Sequence, residues 1–99
     1  MNEQEAQRRI RAILDTSGVR VRYAKHILER LRQRQIPIAQ AMRVLRVGCI
    51  AAAPFQDPGR EQWTCVMEGP DADGENLRVV VGVHPDRPIL TLVSVMHAK

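Results

Sequence analysis

The spacing of apolar residues changes once along these 99 residues, at Gly48, and that change limits the fold more than any single motif. Before Gly48, apolar positions recur at intervals of three and four, as in Ala6, Ile10, Ile13 and Leu14, in Ala24, Ile27, Leu28 and Leu31, and in Ile38, Met42 and Leu45. That is the period of an amphipathic helix. After it, β-branched residues gather in short runs between the turn signals GPDADGE and HPDRP. Links that short join antiparallel neighbours rather than crossovers. The expected architecture is α+β: three N-terminal helices packed on one face of a C-terminal antiparallel meander sheet of three to four strands.

Local signals place the boundaries. A first helix should run from Glu3 to Leu14, with Asn2 and Glu5 spaced as a capping box and DTSG ending it at Gly18. Val19, Val21 and Tyr23 then alternate with Arg20 and Arg22, which reads as a short extended entry or as the start of the second helix; Ala24 to Arg34 is helical on either reading. Pro37 suits the first position of a third helix, and Gly48 its end. Cys49 to Ala53, Trp63 to Glu68, Asn76 to Val83 and Ile89 to Met96 are the strand candidates, with FQDPGRE as a loop. One domain accounts for a chain of this length.

Charge is distributed as unevenly as hydrophobic period. Residues 1 to 48 hold eleven Arg or Lys against four Asp or Glu, a net +7, whereas the rest hold four against seven, a net −3. Thirteen of the fifteen cations are Arg, whose planar fork suits bidentate phosphate contacts. With one Trp, one Tyr and one Phe, aliphatic residues must build the core, and the three aromatics are expected to pack in it or half-buried at its edge rather than to stack on bases. Cys49 and Cys65 lack metal-ligand spacing and read as packing thiols. With no secretory h-region and no apolar run of about 18 residues, a cytoplasmic location away from any membrane is expected.

The second helix carries the candidate chemistry. In RYAKHILERLRQRQI, Arg22, His26, Arg30 and Arg34 recur at intervals of four, and on an ideal helix His26, Arg30 and Arg34 fall within roughly 80° of one another. A titratable imidazole beside two permanent cations is what phosphate binding or phosphoryl transfer needs: the arginines hold and stabilise negative charge while the histidine moves a proton near neutral pH. No metal or cofactor is called for. The plainer reading is a solvated flank in which Glu29 pairs with a neighbouring cation. His84 and His97 lie near strand ends and read as a turn residue and a terminal residue. Asp71, Asp73, Gly74 and Asn76 resemble the opening of a calcium loop, but Gly82 stands where the distal bidentate Glu is required, so a hairpin turn is the better account. There is no phosphate-cradling Gly loop and no nucleophile elbow, which disfavours ATPases and serine hydrolases.

From Val19 to Val95 the chain resembles a family of small bacterial proteins, the domain of unknown function numbered 4258. The resemblance rests on His26, Arg30, Arg34 and Ile36 at the opening, Gly48 at the end of a short helix, and Gly74, Leu77, Val79, Val80 and Val81 in a strand. Pro37 replaces a capping Ser or Thr, and Ser94 replaces a Thr near the final strand's end. Residues 1–18 then look like a helix added to a family-like core of residues 19–96. The family is similar in turn to the compact fold of RelE and barnase-like ribonuclease toxins, which implies RNA and a cognate antitoxin-like protein as partners. On that analogy His26, Arg30 and Arg34 are the catalytic candidates for metal-independent RNA cleavage, with Arg22, Lys25, Arg30 and Arg34 binding the nucleic acid. The alternative function is a non-enzymatic protein-interaction module, or a degenerate member keeping only the fold.

Overall fold

Three helices lie in the N-terminal half, with one strand between the first and second, and the remaining strands follow, in a computed structural model that describes residues 1–56, 59 and 61–98. Helix α1 spans Glu3–Leu14, α2 Ile27–Gln33 and α3 Ile38–Val47; strands are β1 Arg20–Tyr23, β2 Cys49–Ile50, β3 Phe55–Gln56, β4 Trp63–Pro70, β5 Asn76–Val83 and β6 Ile89–His97. The sheet has six strands rather than three to four, in the order β1-β6-β5-β4-β2, with β3 also paired to β4. Strands β4, β5 and β6 form the expected antiparallel meander. The extended entry is a full strand, and it runs parallel to β6, so the sheet is mixed. The long route through α2, α3 and the meander is what allows a parallel return. Strand β3 falls inside FQDPGRE, which read as loop because it carries no alternation; two residues paired to Trp63 and Thr64 are too few to show a period.

The α1 boundaries are those expected. Asn2 Oδ1 accepts the Glu5 N–H at 2.8 Å, one half of the capping box. Thr16 and Gly18, the latter at φ +82°, turn the chain into β1. Helix α2 begins at Ile27 rather than Ala24 because His26, its N-cap, sits in the left-handed region at φ 69°. It ends in a Schellman motif that the sequence did not advertise with a glycine: Gln35 adopts φ 57°, the Ile36 N–H bonds Leu31 O, and the Gln35 N–H bonds Arg32 O. Leu31 and Ile36, the hydrophobic pair of that motif, are both buried. Pro37 caps α3 instead of opening it, a one-residue shift.

One core joins all three helices to one face of the sheet. Ala6, Ile10, Ile13 and Leu14 of α1, Ile27 and Leu31 of α2, and Ala41, Val44 and Leu45 of α3 pack with Cys65, Met67, Leu77, Val79, Val81, Val83, Leu90, Leu92 and Val95. Leu28 and Ile38, expected on the apolar faces, are exposed, because α2 and α3 bury narrower stripes than the spacing suggested. In β6 the buried parity switches from Leu90 and Leu92 to Val95. The register shift opposite Val80 and Val81 inserts an extra residue there, and a one-residue insertion exchanges faces.

Gly48 ends α3 for a reason other than left-handed freedom. A Cβ there would lie 2.5 Å from the Glu68 carbonyl oxygen and 2.6 Å from that of Val44, and one at Gly69 would lie 2.8 Å from the Gly48 Cα. The α3 terminus thus touches β4 backbone to backbone, where neither side can yield. Gly48→Ala is expected to destabilise the fold by about 3 kcal/mol, read as a lower urea midpoint with unchanged slope.

The two thiols differ. Cys49 is exposed, contrary to its expected packing role, while Cys65 is buried and unbonded. Burial pushes the Cys65 thiol from its ordinary value near 9.0 up to about 11. A raised folded value means this contribution to stability is complete below the unfolded value and is lost as pH rises through about 11. At about pH 8 a thiol reagent should modify one cysteine in the native protein and both in denaturant, since the thiolate is the reactive form.

Candidate anion-binding surface on β1 and the β5–β6 turn

Alternation along the strands sorts the polar side chains. Tyr23, Leu92, Val81 and Cys65 align in one row across β1, β6, β5 and β4, and Arg22, Thr91, Gly82 and Thr64 in the next. Adjacent residues on a strand point to opposite faces, so the first row, with three buried members, belongs to the helix side and the second to the other face. Arg20 and Arg22, two residues apart, therefore share that second face, about 7 Å from one another along the strand. Across from them the β5–β6 turn brings Arg87. Arg20, Arg22 and Arg87 line one open cleft of about 350 Å³ together with Gly18, Pro88 and Ile89. Among the described residues none of the three guanidiniums has an ion-pair or hydrogen-bond partner, in contrast to Arg78, whose Nη2 lies 2.6 Å from Glu68 Oε1.

The turn that carries Arg87 is built around His84. Its Nδ1 accepts the Asp86 N–H at 3.0 Å and the Arg87 N–H at 2.9 Å, which fixes the neutral ring's proton on Nε2, 3.2 Å from Glu61 Oε2. From α1, Arg9 donates to the carbonyls of His84 and Arg87. His84 is therefore more than a loose turn residue, whereas His97 is the exposed last residue of β6. In the other turn, Asp71 Oδ1 accepts the N–H groups of Asp73 and Glu75 and Gly74 sits at φ +85°, the hairpin geometry expected.

The residues nominated on the second helix take different positions. Helix α2 covers only the middle of the stripe, with His26 and Arg34 as its two caps. His26 Nδ1 stands 3.5 Å from Glu29 Oε2, both side chains more than half exposed. Arg30 and Lys25 are exposed with no side-chain partner among the described residues. Arg34 Nη1 donates to the Val95 carbonyl at 2.6 Å and ties the end of α2 to β6. Arg22 is the one nominated residue in the cleft. Arg20 and Arg87 were missed: Arg20 is legible as the i−2 neighbour of Arg22, but nothing in HPDRP signals that its arginine returns beside β1. Of the aromatics, Tyr23 at the end of β1 and Phe55 in the short β3 lie outside the core and are about half covered, at 45% and 53% exposed.

No helix among the described residues is long and apolar enough to cross a membrane. Comparison with curated proteins and with solved structures gives no match. The family described as Domain of unknown function (DUF4258) matches residues 23–97, from the last residue of β1 to the last of β6. That span is three quarters of the chain and takes in the whole meander, and the chain therefore belongs to the DUF4258 family.

Proposed function

We propose that this protein binds RNA through its phosphate backbone, on the surface formed by β1, the β5–β6 turn and the start of α2. The observation that carries this reading is the cleft in which Arg20, Arg22 and Arg87 stand together without a carboxylate partner among the described residues. Three guanidiniums converging in one concavity repel one another unless an anion joins them, and phosphate accepts the forked donors of Arg in bidentate geometry. Lys25, His26 and Arg30, exposed on the segment after β1, add further basic groups to the chain outside the cleft. The resemblance to RelE and barnase-like ribonucleases favours RNA among polyanions.

Cleavage is the stronger form of the reading. His26 would take the proton of a ribose 2′-hydroxyl as its oxygen bonds to the adjacent phosphorus, Arg30 would stabilise the phosphorane, and the P–O5′ bond would break with the 5′-oxygen taking a proton from water, leaving a 2′,3′-cyclic phosphate. The backbone of His26 supports a functional role: a non-glycine residue held at φ 69° costs on the order of 1 kcal/mol, and such strain collects at working sites. His26→Gly should then raise stability by about 1 kcal/mol in a thermal melt while removing the imidazole from the chemistry. The test is incubation of a mixed-sequence RNA with purified protein in EDTA, with Arg30→Ala alongside. Cleavage lost in the folded variant supports the enzyme; binding without cleavage leaves the RNA-binding reading alone; neither binding nor cleavage rejects both.

A further inference from the structure

We infer that His84 is a positioning residue for the anion cleft, and that its unprotonated Nδ1 is what holds Arg87 in place; this rests on the RNA-binding reading above. Strand β1 fixes Arg20 and Arg22 through its pairing with β6, from Arg20 opposite Ile89 to Tyr23 opposite Leu92. Arg87 has no strand to hold it. It lies in the exposed turn between β5 and β6; its N–H donates to His84 Nδ1, and its carbonyl accepts from Arg9 Nη2 and from the Ile89 N–H. The same ring nitrogen also receives the Asp86 N–H. One lone pair thus organises both residues before Pro88, and with them the direction from which the third guanidinium enters the cleft.

The arrangement makes the site sensitive to acid. A protonated Nδ1 carries hydrogen and cannot accept, so two backbone N–H groups would face an N–H instead of a lone pair. The charged groups facing the ring are Glu61 on Nε2 and, through backbone atoms, Arg9 of α1 and Asp86 and Arg87 of the turn. Glu61 faces only Nε2, with its side chain 86% exposed, and does nothing to keep Asp86 and Arg87 on Nδ1. Protonating His84 therefore releases the turn that presents Arg87, even as it adds a positive charge nearby. The two effects have opposite signs for RNA: added charge strengthens binding of a polyanion, whereas release of Arg87 weakens it.

The experiment compares wild type, Arg87→Ala, His84→Ala and His84→Asn, measuring affinity for a fluorescent RNA oligonucleotide at about pH 8 and about pH 5.5, with the backbone amide signals of residues 86 and 87 followed by NMR in each. Asn offers a carbonyl oxygen that can accept the same N–H groups and does not titrate. At the higher pH, His84→Ala should lose affinity about as much as Arg87→Ala, roughly fivefold for one charged phosphate contact, and His84→Asn should recover most of it. On acidification, wild type should weaken relative to His84→Asn as its two amide signals move. Wild-type affinity in His84→Ala, or a pH-independent ratio of wild type to His84→Asn, overturns the positioning role and leaves RNA binding intact. No binding by wild type at either pH overturns the RNA-binding reading, and this inference with it.

Discussion

A chain lacking residues 1–18 is expected not to fold. Helix α1 places Ala6, Ile10 and Ile13 at complete burial and Leu14 close to it, all within the same core as the meander. Truncating one buried Ile or Leu costs about 2 to 5 kcal/mol, against about 5 to 15 kcal/mol for the total stability of a small domain. Losing three such side chains, the Ala6 methyl and the helix beneath them exhausts that margin. Arg11 adds hydrogen bonds to the carbonyls of Arg46 and Gly48, and Gln7 accepts the Ile50 N–H, so the α3–β2 junction also loses its partners. Far-UV circular dichroism with a urea titration is the check: the truncated chain should show no cooperative transition, and Ile10→Ala should lower stability by about 3 kcal/mol. A truncated chain melting at the wild-type midpoint would contradict this account of the core. The DUF4258 match begins at Tyr23, so this part of the core lies outside the matched residues.

What could be read in the sequence, and what could not, follows from the range of each interaction. The first helix and the three long strands are local: Ile10 and Ile13 mark a face by period, Asn2 and Glu5 a cap, Asp71 and Gly74 a turn, and each signal lies within the element it specifies. Strand β1 was ambiguous because four residues fit a strand entry or a helix start equally well. Its parallel pairing to β6 depends on Leu90 and Leu92, about 70 positions away. Nor could spacing reveal that His26 would turn left-handed and so cut α2 short, or that Arg34 would be drawn to Val95. The candidate site divides in the same way. Arg22 was nominated as the first of a helical stripe but lies on β1, where its alternating neighbour Arg20 was passed over; Arg87 reaches the cleft only through tertiary structure and a histidine-centred turn, and was not nominated.

The second large effect concerns the cleft itself. Replacing Arg20, Arg22 and Arg87 together with Gln should leave the fold intact, since all three are exposed and make no side-chain bond among the described residues. Relief of their mutual repulsion should, if anything, raise stability by a few tenths of a kcal/mol. RNA affinity should fall about 100-fold near physiological salt, three phosphate contacts at about 1 kcal/mol each. A conservative Arg→Lys exchange at Arg22 should recover only part of this, because an ammonium cannot match the forked contact. A single replacement of Arg34 should instead lower stability, because its guanidinium serves the Val95 carbonyl.

The most direct measurement is the salt dependence of RNA affinity in wild type and the triple Gln variant, by fluorescence anisotropy of a single-stranded oligonucleotide. If the three arginines neutralise phosphates, wild-type affinity falls with salt on a logarithmic slope of roughly −2 or steeper, and the triple variant both binds weakly and loses about 2 from that slope. Equal slopes and equal affinities in the two proteins would contradict the account, leaving Arg20, Arg22 and Arg87 as a solvated surface of the fold.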